Sequence, residues 1–317
     1  MTRKPKISGV VPAILTPFND DLSIDKSALQ SLVDRIASID GVHAIFCTGH
    51  AGEVAALSRS ERKEVVKLTV EAVGGRMPTL AGIYTDSLTE AVDLARDAKQ
   101  AGASAMTLFP PPIFVDGGSD SYDMPFLWFQ RIAETVETPV VVFQFDRAGH
   151  LGYTSDTLAR LATLPEVIGV KEGSADMADY ERNLRILHAA TPPVPVLTSN
   201  NTWLMPSLAA GGDGIISGSS NVLAAEHVKL WRAMDAGDLK KGRQINDQLY
   251  PMVQAFYRAP FINMHTRMKE ALVMLGVLKS ATVRPPLLPL SNEERSEIRR
   301  ALQTAKLLTP TPAEVGL

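Results

Sequence analysis

Eight short runs of apolar, largely β-branched residues alternate with segments of helical periodicity over the first three quarters of the chain. This alternation restricts the fold more than any other feature. The runs cover residues 9–15, 42–47, 78–82, 105–108, 140–145, 167–171, 194–197 and 214–217. Between them, 25–39 carries Leu29, Leu32, Val33 and Ile36 on one helical face. Ser58 opens a capping box completed by Glu61, and a third helix starts after Ser87 and closes on Gly102. Segments 154–164 and 176–190 repeat the helical pattern. Parallel strands need long crossovers, usually helices, so eight β-then-α units predict an α/β fold of the (β/α)8 TIM-barrel type. The competing doubly wound sheet expects a glycine-rich dinucleotide turn after its first strand, and Thr16-Pro17-Phe18-Asn19-Asp20 is not one.

The eighth unit ends near Ala236-Gly237. The remainder reads as helices over 239–255, 261–275 and 291–307, punctuated by Pro285, Pro286 and Pro289. We therefore expect a catalytic barrel over 1–236 and a C-terminal helical extension over 237–317, with fraying over 309–317. The basic stretch 1–6 and the apolar 7–15 form only a weak likeness to a signal peptide, because no small-residue cleavage site follows.

Several function classes drop out. Net charge is -3, from 32 basic and 35 acidic residues, with no basic stripe interleaved with aromatics, so no nucleic-acid partner is expected. No apolar stretch has the length of a membrane span. The single cysteine, Cys47, excludes an intrachain disulfide and suits a reducing, cytoplasmic setting. It lies in a β-run and reads as a small buried residue. His43, His188, His227 and His265 show no paired ligand spacing, and HExxH and CxxC are missing, so neither metal nor cofactor is expected.

Lys171 is the residue out of place. It ends the run Val167-Ile168-Gly169-Val170, which is apolar enough for a strand buried on both faces, and Glu172-Gly173-Ser174 follows. Removing an ammonium from water is costly and depresses its pKa. A lysine neutral near pH 7 is a nucleophile able to form a Schiff base with a carbonyl substrate. A snorkelling lysine, or one paired with Glu172, is the ordinary alternative. Barrel enzymes build their sites from the loops at the carboxyl ends of the strands. The unusual residues fall there: Cys47-Thr48-Gly49-His50-Ala51-Gly52-Glu53, Phe109-Pro110-Pro111-Pro112, Phe143-Gln144-Phe145-Asp146-Arg147, Lys171-Glu172-Gly173-Ser174 and Gly211 through Asn221.

These segments resemble the dihydrodipicolinate synthase / N-acetylneuraminate lyase family of Schiff-base aldolases and dehydratases, over nearly the whole chain. Gly49-His50-Ala51-Gly52-Glu53 is similar to the family's Gly-Thr/Ser-Thr/Ser-Gly-Glu loop. Val170-Lys171-Glu172-Gly173-Ser174 is similar to its lysine motif, and Gly212-Asp213-Gly214-Ile215-Ile216-Ser217 with Asn221 to its eighth-strand segment. Pro286-Leu287 and Leu290-Ser291 resemble its C-terminal region. The departures are equally informative. Phe143-Gln144-Phe145-Asp146 stands where the family places Tyr-Asn-x-Pro, so the catalytic phenol is missing. His50 and Ala51 replace two hydroxyl residues, Pro111-Pro112 replace a tyrosine pair, and Ala148 occupies the position of a carboxylate-gripping arginine, with Arg147 one place earlier.

The resemblance implies a lyase acting on pyruvate or a related 2-oxo acid, with sugar-acid derivatives among the candidates and Lys171 as the Schiff-base residue. Gly49, His50 and Ala51 are expected to offer backbone N–H groups to the substrate carboxylate. His50 either replaces the tyrosine relay or only binds substrate. Phe143, Gln144 and Arg147 stand where specificity is set, with a surface ion pair as the alternative for Arg147. Asp146 reads as a base or a loop cap, and Tyr153 as a remote substitute for the phenol. Ile216 and Ser217 read as pocket wall, with a phosphate cup as the competing reading. Glu53 orients its loop or serves a helix start. A synthase with an altered relay and a non-catalytic 2-oxo-acid-binding barrel remain as alternatives. A homo-oligomer, dimer or tetramer, is implied.

Overall fold

The computed structural model describes residues 5–309, so the expectations for residues 1–4 and 310–317 lie outside the described residues. Eight strands appear in order: β1 (Gly9–Pro12), β2 (Ile45–Cys47), β3 (Thr79–Ile83), β4 (Ala105–Leu108), β5 (Val140–Gln144), β6 (Val167–Glu172), β7 (Val196–Thr198) and β8 (Gly214–Ser217). Every paired strand is parallel to its neighbour, and the sheet runs β1-β8-β7-β6-β5-β4-β3-β2. Parallel bridges Val10–Val42 and Ala13–Phe46 close β1 onto β2, completing the barrel.

The outer ring is α1 (Lys26–Ala37), α2 (Arg59–Val73), α3 (Leu88–Gln100), α4 (Met124–Val136), α5 (Ser155–Leu161), α6 (Met177–His188), α7 (Leu204–Ala209) and α8 (Ser220–Asp235). Local chemistry sets the starts. Asp25, Ser87, Thr154 and Asp176 each accept a hydrogen bond from a first-turn N–H, and Ser58 and Glu61 form the reciprocal capping box. The extension is α9 (Leu239–Tyr257), α10 (Met264–Met274) and α11 (Asn292–Thr304).

Strand lengths differ from the apolar runs at both ends. Residues 13–15 leave the ladder but stay bonded. Ala13 N–H donates to Ser217 O and Ile14 N–H to Phe46 O, while the Asn221 amide holds Leu15 N and Ala13 O. Asn221 thus fastens the start of α8 to the residues that follow β1. α4 was absent from the sequence reading because its first residues, Met124-Pro125, follow Asp123, which makes no side-chain cap bond.

One apolar core runs from Ile7 to Ala305, and α9 packs on α8 while α11 packs on α9 and α10. The segment 237–317 therefore begins where the barrel ring ends, yet over its described residues it shares the barrel's core. Two charged contacts fasten it to the strand-two loop. Lys269 Nζ, fully buried, lies 2.6 Å from Glu53 Oε1 and also donates to Thr282 O at 2.8 Å. Arg284 pairs with Glu61, and its backbone N–H donates to Glu53 Oε2 at 3.2 Å. Glu53 is thereby an orienting residue for the loop, held at φ 56.

Candidate active site

A cavity of about 440 Å3 opens at the carboxyl ends of the strands. Lys171 lies in its wall and is only 7% exposed. The residue's burial follows from its place at the end of β6, inside a ring of neighbours. In the register of β5 and β6, Phe143 stands opposite Lys171 and Gln144 opposite Glu172. Side chains alternate along a strand, so the first pair faces the cavity and the second faces the helices. Lys171 Nζ sits 3.1 Å from the centroid of the Phe143 ring. Among the described residues no carboxylate forms a salt bridge with it. Burial pushes its pKa well below the usual lysine value, with the Glu172 charge acting the other way. The result is an amine shifted toward its neutral form, with no carboxylate paired to it, that faces a cavity.

Behind it, Glu172 pins the end of the strand. Its carboxylate accepts from Asn200 Nδ2 at 2.9 Å, Asn183 Nδ2 at 3.1 Å and Ser174 N–H at 3.3 Å. Burial raises its pKa, and these hydrogen bonds oppose the rise.

The strand-two loop supplies His50 and Ala51 to the cavity; Gly49 is not in its wall. Gly49 lies over Phe46, whose ring would be 2.7 Å from a Cβ placed there, so a side chain is excluded by contact. The carbonyls of Gly49 and His50 accept from Gly52 and Glu53, turning the loop so that the N–H groups of Gly49, His50 and Ala51 donate to no acceptor among the described residues. Free amide hydrogens in a row suit an anion. His265 of α10 holds the loop through Nε2, 2.8 Å from His50 O. The His50 ring packs near His265 and Phe261, at centroid distances of 5.3 and 6.2 Å. Burial first, then His265 and Lys171, lower its pKa to about 3, so the imidazole is neutral across the working range.

Other expected residues fall on both sides of the wall. Phe143 and Ile216 line the cavity. Ser217 is one residue removed from it. Its hydroxyl donates to Asn201 Oδ1 and meets Ser219 Oγ at 2.8 Å. Gln144 is fully buried and directed away: its amide donates to Tyr153 O at 3.0 Å and accepts from Tyr153 N–H at 2.9 Å. Arg147 is absent from the wall, because its guanidinium pairs with Asp120 at 3.1 Å in a half-exposed bridge. Asp146 does reach the cavity, and it also caps its own turn by accepting from Ala148 N–H. Tyr153 packs edge-on against Phe129 in the core and is not in the wall. Cys47 is buried and its thiol is pushed up to about 12, which leaves it unreactive.

The sequence reading missed the contribution of the extension. Tyr257, Phe261 and Met264 line the cavity from the end of α9 and the start of α10. The Tyr257 oxygen accepts from Ser219 N–H at 3.1 Å, and burial raises its pKa while bonds with Ser219 and Ser217 oppose the rise. No strand-end position marks Tyr257 in the sequence. Its only signal is its place at the end of the apolar face of a helix beyond the barrel. Ser199, Asn200, Asn201, Thr202 and Trp203 after β7 were also missed. Among the described residues, no group of His, Cys, Asp and Glu could hold a metal, and no helix is long and apolar enough to cross a membrane.

The site can be set beside known proteins. The family model described as the dihydrodipicolinate synthetase family matches residues 6–305. A 4-hydroxy-tetrahydrodipicolinate synthase of Methanopyrus kandleri is 32% identical over 311 residues, covering 96% of this chain and 98% of that protein. Among solved structures, a monomeric dihydrodipicolinate synthase variant superposes with a TM-score of 0.88 at 28% identity, covering 95% of this chain and 98% of the other. The Escherichia coli K12 protein YagE, solved with pyruvate, gives a TM-score of 0.87 at 28% identity, with 95% and 99% covered. A match of this extent, on a barrel with an unpaired buried lysine at its mouth, shows that the chain belongs to the dihydrodipicolinate synthetase family and is a class I, Schiff-base-forming lyase.

Proposed function

We propose that Lys171 forms the Schiff base and that the substrate is pyruvate or a related 2-oxo acid. The carrying observation is the Lys171 amine: buried, unpaired with any carboxylate, depressed in pKa and open to the cavity. The pyruvate complex of the similar YagE structure supports the substrate class. In the proposed sequence the neutral amine attacks the C2 ketone and the carbinolamine loses water. The resulting iminium accepts the electron pair of a C3–H or C3–C bond broken at C3 and becomes an enamine, and the enamine can deliver that pair to a new bond at C3. The C1 carboxylate meets the N–H groups of His50 and Ala51.

Two side chains in the wall can move protons in place of the phenol missing from β5: the neutral imidazole of His50 and the hydroxyl of Tyr257. A bound carboxylate beside His50 raises its pKa from about 3 and makes it a better base when substrate is present. The reaction is a carbon–carbon or carbon–oxygen lyase step. Exposed apolar side chains on the strand-four turn and α4 (Ile113, Val115, Tyr122, Met124 and Leu127) support a homo-oligomer, dimer or tetramer. The test is reductive trapping. Pyruvate with borohydride is expected to add one carboxyethyl group, the reduced imine, to the protein and none to Lys171→Ala. Unmodified wild-type protein with every 2-oxo acid tried would return the chain to a binding role.

A further inference from the structure

The cavity is larger than pyruvate needs, and its chemistry indicates what fills the rest. We infer that the substrate's substituent beyond C3 is apolar, an aryl or bulky alkyl group, and not a hydroxylated or carboxylated chain. This deepens the proposed function, rests on the Schiff-base reading, and departs from the sugar-acid expectation.

Three observations carry it. First, the wall is built from rings on both sides. Phe143 and Phe145 lie 4.1 Å apart between centroids beside Lys171, with Phe109 4.9 Å behind Phe143. Across the mouth, Tyr257 and Phe261 stack at 5.9 Å, and Trp203 and Phe46 complete the wall with Ala13, Ala51 and Met264. Second, Lys171 is the only lysine or arginine among the lining residues. With that nitrogen held as an iminium beside the C1 carboxylate, a second carboxylate farther along the chain finds no cation of its own and would be desolvated without compensation. Third, the amide side chains that could recognise hydroxyls are already committed. Asn200 accepts from Ala175 N–H and donates to Glu172, and Asn201 donates to Ser199 O while accepting from Ser217. A polyhydroxylated chain would find Asp146, Ser199, Thr202 and the His50 ring as its remaining polar partners and would set its other donors and acceptors against rings. An apolar substituent instead gains from burial of its own surface and from ring–ring contact.

For a 4-hydroxy-2-oxo acid with an apolar group at C4, the step balances as a retro-aldol. The C4 hydroxyl proton leaves to a base, and the C3–C4 bond breaks with its pair entering the iminium as an enamine. An apolar aldehyde departs. Protonation at C3 and addition of water release pyruvate and free lysine.

Competitive trapping tests recognition apart from cleavage. Equimolar 2-oxo-4-phenylbutanoate and 2-oxo-5,6-dihydroxyhexanoate, neither carrying a C4 hydroxyl, are incubated with protein and borohydride, and the adducts are counted by mass. At least a tenfold excess of the phenyl adduct is expected, with the excess reduced severalfold in Phe261→Ser, whose side chain is half exposed and tolerates the change. Equal amounts, or a preference for the dihydroxy acid, would overturn the inference while leaving the Schiff base intact. Failure of pyruvate itself to trap would overturn the underlying reading instead.

Discussion

Lys171 was legible because a lysine closing an apolar strand violates the pattern around it, and a violation of local rules is where function concentrates. Its neighbour Gln144 was not legible. Which of Phe143 and Gln144 faces the cavity depends on the register of β5 against β6, and one strand's sequence does not carry its partner's register. Gln144→Ala should therefore cost about 1–3 kcal/mol in denaturant unfolding, the price of stranding both Tyr153 backbone groups, while pyruvate trapping persists. Lost trapping in a folded Gln144→Ala protein would contradict that placement. Lys171 itself should be a burden on stability. Its folded pKa lies below the unfolded value, so between the two the unfolded chain binds more protons and stability rises with pH. The penalty is present at neutral pH and gone once pH exceeds the unfolded lysine value of about 10.4. Lys171→Met should stabilise the fold near pH 7 by about 0.5–2 kcal/mol, with the gain shrinking toward pH 10.5 in chemical denaturation. For proton transfer, His50→Ala and Tyr257→Phe should each slow turnover about 10²–10⁴-fold with adduct formation preserved, if that residue serves the relay. Unchanged turnover would release that residue from the role.

At the scale of elements, the starts of helices with side-chain caps were read to within a residue, because the signal is local: Ser58 with Glu61, Ser87, Asp176. α4 and α7 carry no such cap. The extension was recognised as helical, but its role in the cavity depends on packing between segments some two hundred residues apart. Glu53 and Lys269 illustrate this: Glu53 stands out in its loop motif, but nothing in the sequence marks Lys269 as its partner, and together they form a buried pair joining the strand-two loop to α10. Removing one partner strands the other charge. Lys269→Met should cost about 3–5 kcal/mol in urea unfolding and loosen the loop that carries His50, whereas replacing both partners with apolar residues should recover much of the loss. A neutral effect of the single change would show that the pair does not hold the extension down.

At the scale of the molecule, the barrel followed from the eightfold alternation, and the position of the site followed from the barrel. The chemistry of the cavity did not, because the rings that line it come from β2, the end of β5, the loop after β7, α9 and the turn before α10. Assembly belongs to this scale too. Sedimentation of the full chain is expected to show a dimer or tetramer, and Leu127→Glu, placed in the exposed apolar patch, is expected to shift it toward monomer. The central claim concerns one amine, and the most direct measurement is the rate of borohydride trapping with pyruvate as a function of pH, with the modified peptide identified by mass spectrometry. Label confined to Lys171, with a rate still high at neutral pH and an inflection well below the ordinary lysine range, is the predicted result. Label on other lysines, or a rate that rises only as pH approaches 10.5, would contradict it.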